Sequence, residues 1–221
     1  MRGAHDYWDQ VWESGQWDEQ WSNADPWVTG RVASLRAEGS VRVLDLGCGV
    51  GRHAVALAAL GARVVGLDAS TAALEEVGRR ARNAGVRVEL CEGNFAPLPF
   101  EDDSFDYVLS YNAVYHGDEA SLRSTLSELR RVLRPGGIYQ CTMLSKANHE
   151  YGRGLEVSRN TFVQPDAEDD KIHEHLYLNR EEIEAAHVGL STVEVVDREH
   201  GMPGSFHYHC VFVRDGVKHA K

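Results

Sequence analysis

The sequence lacks long hydrophobic runs. No stretch reaches the roughly eighteen apolar residues that a membrane-spanning helix needs, and the first residues, Met1 to Asp6, contain no hydrophobic signal region. We therefore expect a cytoplasmic protein with no membrane partner. With 221 residues, of which 43% are hydrophobic and 26% charged, the chain has the composition of an ordinary globular protein. This length predicts a single domain over residues 1–221.

Cysteine and positive charge are also scarce. The four cysteines are Cys48, Cys91, Cys141 and Cys210; they form no CxxC pair or other ligand spacing, and we expect buried, reduced thiols. The formal net charge is −11, and no stripe of lysine or arginine is present. Because a polyanion is bound through a basic surface, nucleic acid is not an expected partner. A small molecule is the expected substrate.

Glycine is concentrated in one informative turn. An apolar run over residues 41–46 contains Asp45 and leads into a Gly-x-Gly-x-Gly sequence at residues 47–51, and a second apolar run ends at Asp68. Such a strand, turn, helix and strand place a nucleoside-bearing ligand across the carboxyl ends of two parallel strands. Asp68 is then positioned to accept hydrogen bonds from ribose hydroxyls.

Two kinds of nucleoside ligand fit this pattern. Residues 49–54 match G-x-G-x-x-A, the dinucleotide fingerprint, which leaves an NAD(P)-type oxidoreductase open. Asp45 favours another ligand, because an acid at the strand end suits a cationic amino acid end rather than a pyrophosphate. The arrangement Asp45-x-Gly47-x-Gly49-x-Gly51 resembles motif I of the class I S-adenosylmethionine (AdoMet)-dependent methyltransferases.

Two further segments extend the resemblance over residues 41–144. Residues 92–108 are similar to the family segment GDAxxLPFxDxSFDxV, with Asn94 where the family usually has Asp, and residues 129–137 are similar to RVLKPGG. Residues 110–113 lack the Asn/Asp-Pro-Pro-Tyr/Phe tetrapeptide of many nucleic-acid methyltransferases of this fold. The resemblance implies AdoMet as cofactor and an α/β, Rossmann-like doubly wound seven-stranded sheet of order 3-2-1-4-5-7-6 with strand 7 antiparallel.

Hydrophobic periodicity predicts the same alternation of elements. Strands are expected near 41–46, 62–67, 86–91, 105–110, 136–144, 190–197 and 206–213, and helices near 25–38, 51–60, 70–84, 118–133 and 180–188.

The resemblance also implies which residues hold the cofactor. Those expected at its methionine end are Asp45, Gly47, Cys48, Gly49, Arg52 and Ser110. Those expected at the ribose and adenine are Asp68, Ala69, Asn94 and Phe95. Asn94 would bind adenine N6 through its amide oxygen, which keeps an acceptor without the charge of Asp.

The N-terminal segment, residues 1–24, contains four of the five tryptophans. One interpretation is a lid over the cofactor, with Trp12 near the sulfonium and Trp8 toward the substrate, where an aromatic ring attracts a cation. The alternative is a helix that only packs on the sheet.

A polar insertion over residues 145–178 is expected on the substrate side. Within it, residues 171–178 alternate as a short strand would, with His173, His175 and Tyr177 on one face, and resemble the HHYFTREEL segment of small-molecule members. Tyr111 is a further candidate for substrate binding. A second pair, His207 and His209, invites a metal interpretation. No carboxylate stands at a recognised ligand spacing and both pairs could face solvent, so no metal site is expected.

The candidate catalytic residues are His116 and its neighbour Tyr115, in a position where the family often reads LHH. A histidine near its usual pKa of about 6.5 could act as base, although a histidine with only local hydrogen bonds fits equally. The leading hypothesis is an AdoMet-dependent methyltransferase that transfers a methyl group to a small molecule by in-line SN2 displacement. The alternatives are the NAD(P)-type oxidoreductase and a non-catalytic AdoMet-binding regulatory protein.

Overall fold

A ten-stranded sheet forms the centre of this computed structural model, which describes residues 3–17 and 21–216. The strands are β1 (Arg42–Leu46), β2 (Arg63–Asp68), β3 (Val88–Glu92), β4 (Phe105–Ser110), β5 (Leu133–Ser145), β6 (Leu155–Ser158), β7 (Thr161–Val163), β8 (His175–Leu178), β9 (Leu190–Glu199) and β10 (Phe206–Arg214). The helices are α1 (Ala4–Glu13), α2 (Pro26–Glu38), α3 (Arg52–Ala59), α4 (Thr71–Asn83), α5 (Glu119–Val132) and α6 (Arg180–Ala186). Residues 1, 2 and 18–20 of the predicted N-terminal lid, and residues 217–221 of the predicted domain, lie outside the described residues.

The strand order confirms the predicted sheet. Strands β3, β2, β1, β4 and β5 are parallel neighbours in that order, and β10 pairs antiparallel with both β5 and β9. The predicted sheet has seven strands, so β6, β7 and β8 are additional to it. Without them, β9 is the sixth strand and β10 the seventh, and the order is 3-2-1-4-5-7-6. The chain order reverses between β1 and β4, and ligands of such sheets bind at this switch point, outside the carboxyl ends of the strands.

Both faces of the sheet are covered, which explains the continuous apolar runs of its central strands. Val43 of β1 faces a core with Val28 of α2 and Leu57 of α3, whereas its neighbour Leu44 faces a second core with Leu129 of α5. Side-chain caps mark the start of α2, α4, α5 and α6; at α5, Asp118 accepts a hydrogen bond from the backbone N–H of Ser121. None of the described helices is long and apolar enough to cross a membrane.

The cysteine prediction was wrong for one residue. The thiols of Cys48, Cys141 and Cys210 are free and buried, as expected, but Cys91 is partly exposed. Cys91 lies on β3, which is the edge strand beside β2, so part of its surface has no neighbouring strand to cover it.

The insertion over residues 145–178 forms a small annex to the sheet. β8 pairs with the end of β5 through Leu144 and Tyr177, and β7 and β6 follow it in antiparallel order. The predicted strand over 171–178 is too long, because Asp169 caps a 3₁₀ turn at Asp170–Ile172 and the strand begins only at His175. Tyr177 packs against the rings of Tyr151 and Phe162.

The glycine turn after β1 suggests a test of the fold. Gly51 has φ +79°, and a Cβ there would lie 2.8 Å from Cγ2 of Val77 on α4; Gly136 has φ +74° but open space around it. Gly136→Ala should cost only the left-handed backbone strain, about 1–2 kcal/mol, whereas Gly51→Ala should cost about 1–3 kcal/mol more because Val77 must move. Urea unfolding of the two variants and the parent measures both values, and equal losses would contradict the tight α3–α4 contact.

Candidate active site

A cavity of about 470 Å³ lies at the switch point, over the carboxyl ends of β1, β2 and β4. The predicted site residues that line it are Trp8, Trp12, Asp45, Gly47, Cys48, Gly49, Arg52, Asp68, Ala69, Asn94, Phe95, Tyr111 and His116. The predicted residues that do not line it are Ser110, Tyr115, His173, His175 and Tyr177. Thus the candidates from the glycine turn and from the loops after β2 and β3 share one cavity, while Ser110 is fully buried behind it and donates its hydroxyl hydrogen bond to Leu46.

Asp45 is a buried acid with an unused oxygen. Burial raises the pKa of its carboxyl to about 7, although the positive charge of Arg52 opposes this shift. Its Oδ2 atom has no hydrogen-bond partner among the described residues. A buried acceptor without a partner is costly, and a cationic amino group of a ligand would satisfy it.

The glycine turn passes between two walls of the cavity. A Cβ at Gly47, where φ is +74°, would lie 2.6 Å from Cβ of Ala113 and 3.0 Å from Cζ of Phe95. A Cβ at Gly49 would lie 3.3 Å from Cζ2 of Trp12. Only glycine therefore allows the backbone to lie this close to both walls.

Asp68, at the end of β2, holds this turn in place. Its carboxylate accepts hydrogen bonds from the backbone N–H of Gly49 at 2.8 Å and from that of Ser70 at 3.0 Å. Burial raises the pKa of Asp68, and the backbone hydrogen bonds oppose the rise. The backbone N–H of Ala69 also contributes, and three such contacts leave at least one lone pair of the carboxylate to accept a hydrogen bond from a ribose.

Arg52 supplies the positive charge of the cavity at the start of α3. Its guanidinium lies 4.9 Å from the ring centroids of both Trp21 and Tyr111, within cation–π distance. Burial lowers the pKa of Arg52, but an arginine remains protonated throughout the physiological range. The cavity thus carries one cation beside Asp45, as a zwitterionic amino acid end requires.

Helix α1 lies across the mouth of the cavity. The rings of Trp8 and Trp12 stack with centroids 5.3 Å apart, and Asp9 accepts a 2.6 Å hydrogen bond from the hydroxyl of Ser70 beside the glycine turn. On the other side, the ring of Tyr7 lies 5.5 Å from that of His173. The helix therefore contacts both the cofactor side of the cavity and the insertion, which is the position that a lid requires.

The loop after β4 brings His116 to the histidines of the insertion. His116 Nδ1 lies 3.0 Å from His173 Nε2, and the ring centroid of His116 lies 4.8 Å from that of His175. Tyr115 contacts His116 but points its hydroxyl toward His207 Nε2, at 3.5 Å. The suggestion that the two histidine pairs face solvent was wrong, because His173, His175, His207 and His209 are all at least 94% buried.

Sequence reasoning missed several residues of this region. His53 and Asn112 line the cavity, and Asn112 lies 3.3 Å from His200, which in turn lies 3.3 Å from His209. The residues belong to α3, the loop after β4 and the β9–β10 hairpin. The residues that were missed are His53, Asn112 and His200, and their signal in the sequence was the place of His53 two residues after Gly51.

The buried carboxyl of Asp45 predicts a pH-dependent affinity for AdoMet. If Asp45 binds the amino group, it must be ionised in the complex, so below its pKa of about 7 binding must release a proton. The affinity should therefore fall by up to roughly tenfold for each pH unit below 7 and be level above it. Calorimetry from about pH 8 to about pH 5.5 tests this, with Asp45→Asn as the matched control. That variant should bind more weakly at every pH and show no such slope; a slope that persists in it would assign the titration to another group.

Comparison with known proteins gives the family. Residues 43–137 match a family described as a methyltransferase domain. The chain is 34% identical to the demethylmenaquinone methyltransferase of Symbiobacterium thermophilum over 190 residues, which cover 80% of this chain and 72% of that protein. A demethylmenaquinone methyltransferase of Clavibacter sepedonicus is 46% identical over 110 residues, or 48% of this chain, and the chain spans only 44% of its length.

The fold has close counterparts among solved structures. The PH0226 protein from Pyrococcus horikoshii OT3 superimposes with a TM-score of 0.69 at 21% identity, over 92% of this chain and 99% of that one. The strand order, the glycine turn with its two acids, and these similarities lead to one conclusion: the chain belongs to the class I AdoMet-dependent methyltransferases.

Proposed function

We propose that this protein transfers the methyl group of AdoMet to a small-molecule acceptor by in-line displacement at the sulfonium. The observation that carries the proposal is the cavity of about 470 Å³ that α1 helps to line. Its volume is that of a small-molecule site and has to contain the cofactor as well as the acceptor. The net charge of −11 also disfavours a nucleic-acid substrate.

The polar groups of the cavity support one orientation of the cofactor. Asp45 and Arg52 would bind the amino and carboxylate groups of the methionine end, with the backbone carbonyl of Ser110 near the amino group. Asp68 would accept hydrogen bonds from the ribose, and the adenine would lie beside Ala69. Asn94 and the backbone N–H of Phe95 would then bind adenine N6 and N1.

The overlapping dinucleotide fingerprint at residues 49–54 follows from the glycine turn itself. Asp45, with its unpaired buried oxygen, would face the pyrophosphate of NAD(P) with a negative charge. Thermal-shift measurements with AdoMet, NAD and NADP separate the two ligand classes: stabilisation by NAD(P) and not by AdoMet would contradict the proposal.

The chemistry needs alignment more than activation. The sulfonium of AdoMet is already a good leaving group, so holding an acceptor atom in line with the S–CH₃ bond can supply most of the acceleration. The acceptor would lie between the sulfonium and the wall formed by Tyr111, Asn112 and His116. Helix α1 would exclude water from this space.

The surroundings of His116 favour a weaker base than an imidazole with a pKa near 6.5 would be. Burial and the neighbouring His175 lower the pKa of His116 well below its usual value. Its Nε2 donates a 3.2 Å hydrogen bond to the carbonyl of Asn112, and its Nδ1 faces His173 Nε2. Such an imidazole is a weak base, so the site favours an acceptor that is anionic or loses its proton readily, such as a thiol, an acidic phenol or an inorganic anion.

A product screen with methyl-labelled AdoMet tests the proposed function. The panel comprises thiols, acidic phenols, aliphatic alcohols, amines and halide or metalloid anions, together with a naphthoquinol because relatives carry the name demethylmenaquinone methyltransferase. Labelled product from the thiols, phenols or anions is expected. AdoMet binding without turnover on any acceptor would favour the non-catalytic AdoMet-binding protein instead.

The stacked tryptophans of α1 provide a test of the lid. Trp12 lines the cavity, whereas Trp17 packs against Trp12 outside it. Trp12→Ala should weaken AdoMet binding by about 2- to 30-fold, the equivalent of the ~0.5–2 kcal/mol of a cation–π contact. The loss should be smaller for S-adenosylhomocysteine, which has no sulfonium charge. Calorimetry with both ligands measures the difference, and Trp17→Ala should leave both affinities near the parent values. Equal losses for the two ligands in Trp12→Ala would show a packing role only.

The low pKa of His116 predicts an unusual pH profile. Because its folded-state pKa lies well below 6.5, His116 stays neutral as the pH falls through that value. At saturating AdoMet, kcat for an anionic acceptor should therefore be level from about pH 8 to about pH 6. Steady-state rates over this range provide the measurement. A fall in kcat with a midpoint near 6.5 would restore His116, or another imidazole, as an ordinary general base.

A further inference from the structure

Three imidazoles from distant parts of the chain converge beside the cavity. His116, His173 and His175 each contribute one ring nitrogen, and these three nitrogens lie within 4.8 Å of one another. His116 follows β4, whereas the other two belong to the insertion, so the tertiary fold alone assembles the group. We propose that these histidines form a binding site for a divalent cation of the zinc class, built into the wall of the cavity.

The hydrogen bonds of two of the rings decide which of their nitrogens is left for a cation. A carbonyl oxygen can only accept, so His116 Nε2 must donate to the carbonyl of Asn112, at 3.2 Å. For the same reason His175 Nδ1 must donate to the carbonyl of His173, at 2.9 Å. In the neutral imidazole of His116, Nδ1 therefore carries a lone pair, and Nε2 of His175 does so once it gives up the proton that it shares with Asp170. Metal-ligating histidines are typically held in this way, with the second nitrogen bonded to a carbonyl.

The third ring, that of His173, has a buried nitrogen without a partner among the described residues. His173 is only 2% exposed, and its Nδ1 has no hydrogen-bond partner among the described residues. Its Nε2 lies 3.0 Å from His116 Nδ1. Two nitrogens that bind one tetrahedral zinc at 2.0–2.1 Å lie about 3.3 Å apart. This pair is thus close to the required spacing, and the third nitrogen, which lies within 4.8 Å of the others, has to move inward by up to about 1.5 Å.

A carboxylate lies beside the three rings. Asp170 Oδ2 lies 3.3 Å from His175 Nε2, so a proton joins these two atoms when no cation is present and is released when His175 binds one. The other oxygen, Oδ1, accepts a 2.6 Å hydrogen bond from Lys171. The lysine offsets the charge of the carboxylate, so the set is close to neutral before a cation binds. Imidazoles with at most one carboxylate favour zinc, cobalt or nickel over magnesium or calcium.

The three histidines lie next to the cavity, so a cation bound by them would lie close to its contents. His116 lines the cavity, and its ring centroid lies 5.9 Å from that of Trp8 on α1. Tyr7 covers His173 from the same helix. A cation bound by the three rings would therefore lie at the acceptor end of the cavity, under α1. Binding of the cation itself does not depend on methyl transfer.

Metal titration of the full-length chain without an affinity tag tests the proposal. The protein is treated with a chelator, and Zn²⁺ is then added in a calorimeter and Co²⁺ in a spectrophotometer, with no AdoMet present. One equivalent per chain and the visible bands of tetrahedral cobalt are expected. His173→Ala and His175→Ala should each weaken zinc binding by more than about 100-fold, and Asp170→Asn by roughly 10- to 100-fold. His149→Gln, which alters a partly exposed histidine beside Glu150, should bind as the parent does.

A measurement on the parent protein guards against variants that do not fold. Nitrogen NMR of the histidine side chains should show zinc shifting the rings of His116, His173 and His175 while the other imidazoles stay unchanged. A spectrum in which His175 is protonated on both nitrogens and unaffected by zinc would show an ion pair with Asp170 and overturn the proposal. Absence of tetrahedral cobalt bands, or zinc binding that survives in both alanine variants with native circular dichroism, would also overturn it.

Discussion

The hydrogen bond from the backbone N–H of Gly49 to the carboxylate of Asp68, 2.8 Å long, joins the two strands on which the cavity depends. It fixes the glycine turn after β1 to the end of β2, and the N–H groups of Gly47 and Cys48 both donate to the carbonyl of Leu67 beside it. With the turn held there, α3 begins directly after Gly51 and places Arg52 next to Asp45. A buried acid, a buried base and a close-packed turn thus follow from one strand-end contact.

Helix α1 contacts both sides of the cavity. Trp12 lies against Gly49 of the glycine turn, while Tyr7, on the same helix, lies against His173 of the insertion. These contacts add to the pairing of β8 with the end of β5 and to the hydrogen bond from the N–H of Leu176 to the carbonyl of Tyr115. A movement of α1 would therefore change access to the cofactor and the packing of the histidines together.

Burial sets the electrostatic character of each side. Desolvation raises the pKa of Asp45 to about 7, whereas it lowers the pKa of His173 to about 3 and that of His116 well below its usual value. The same physical effect thus favours neutral rings at His116 and His173 and makes the acid sensitive to pH near neutrality. Neutral imidazoles are poor general bases but good metal ligands, and this shared cause links the weak base at His116 to the proposed cation site.

The sequence alone determined the parts of the protein that depend on local pattern. Apolar runs, the glycine turn and the motif similarity predicted the sheet order and the AdoMet family, and they selected Asp45, Gly47, Asp68 and Phe95, which line one cavity. Only the tertiary structure decided which residues meet on the side of the cavity where the acceptor is proposed to bind. The loop after β4, the insertion and the β9–β10 hairpin are far apart in the chain, and no periodicity encodes that His116 meets His173 across 57 residues. Packing between distant elements, rather than local propensity, sets both that meeting and the burial that shifts the pKa of each ring.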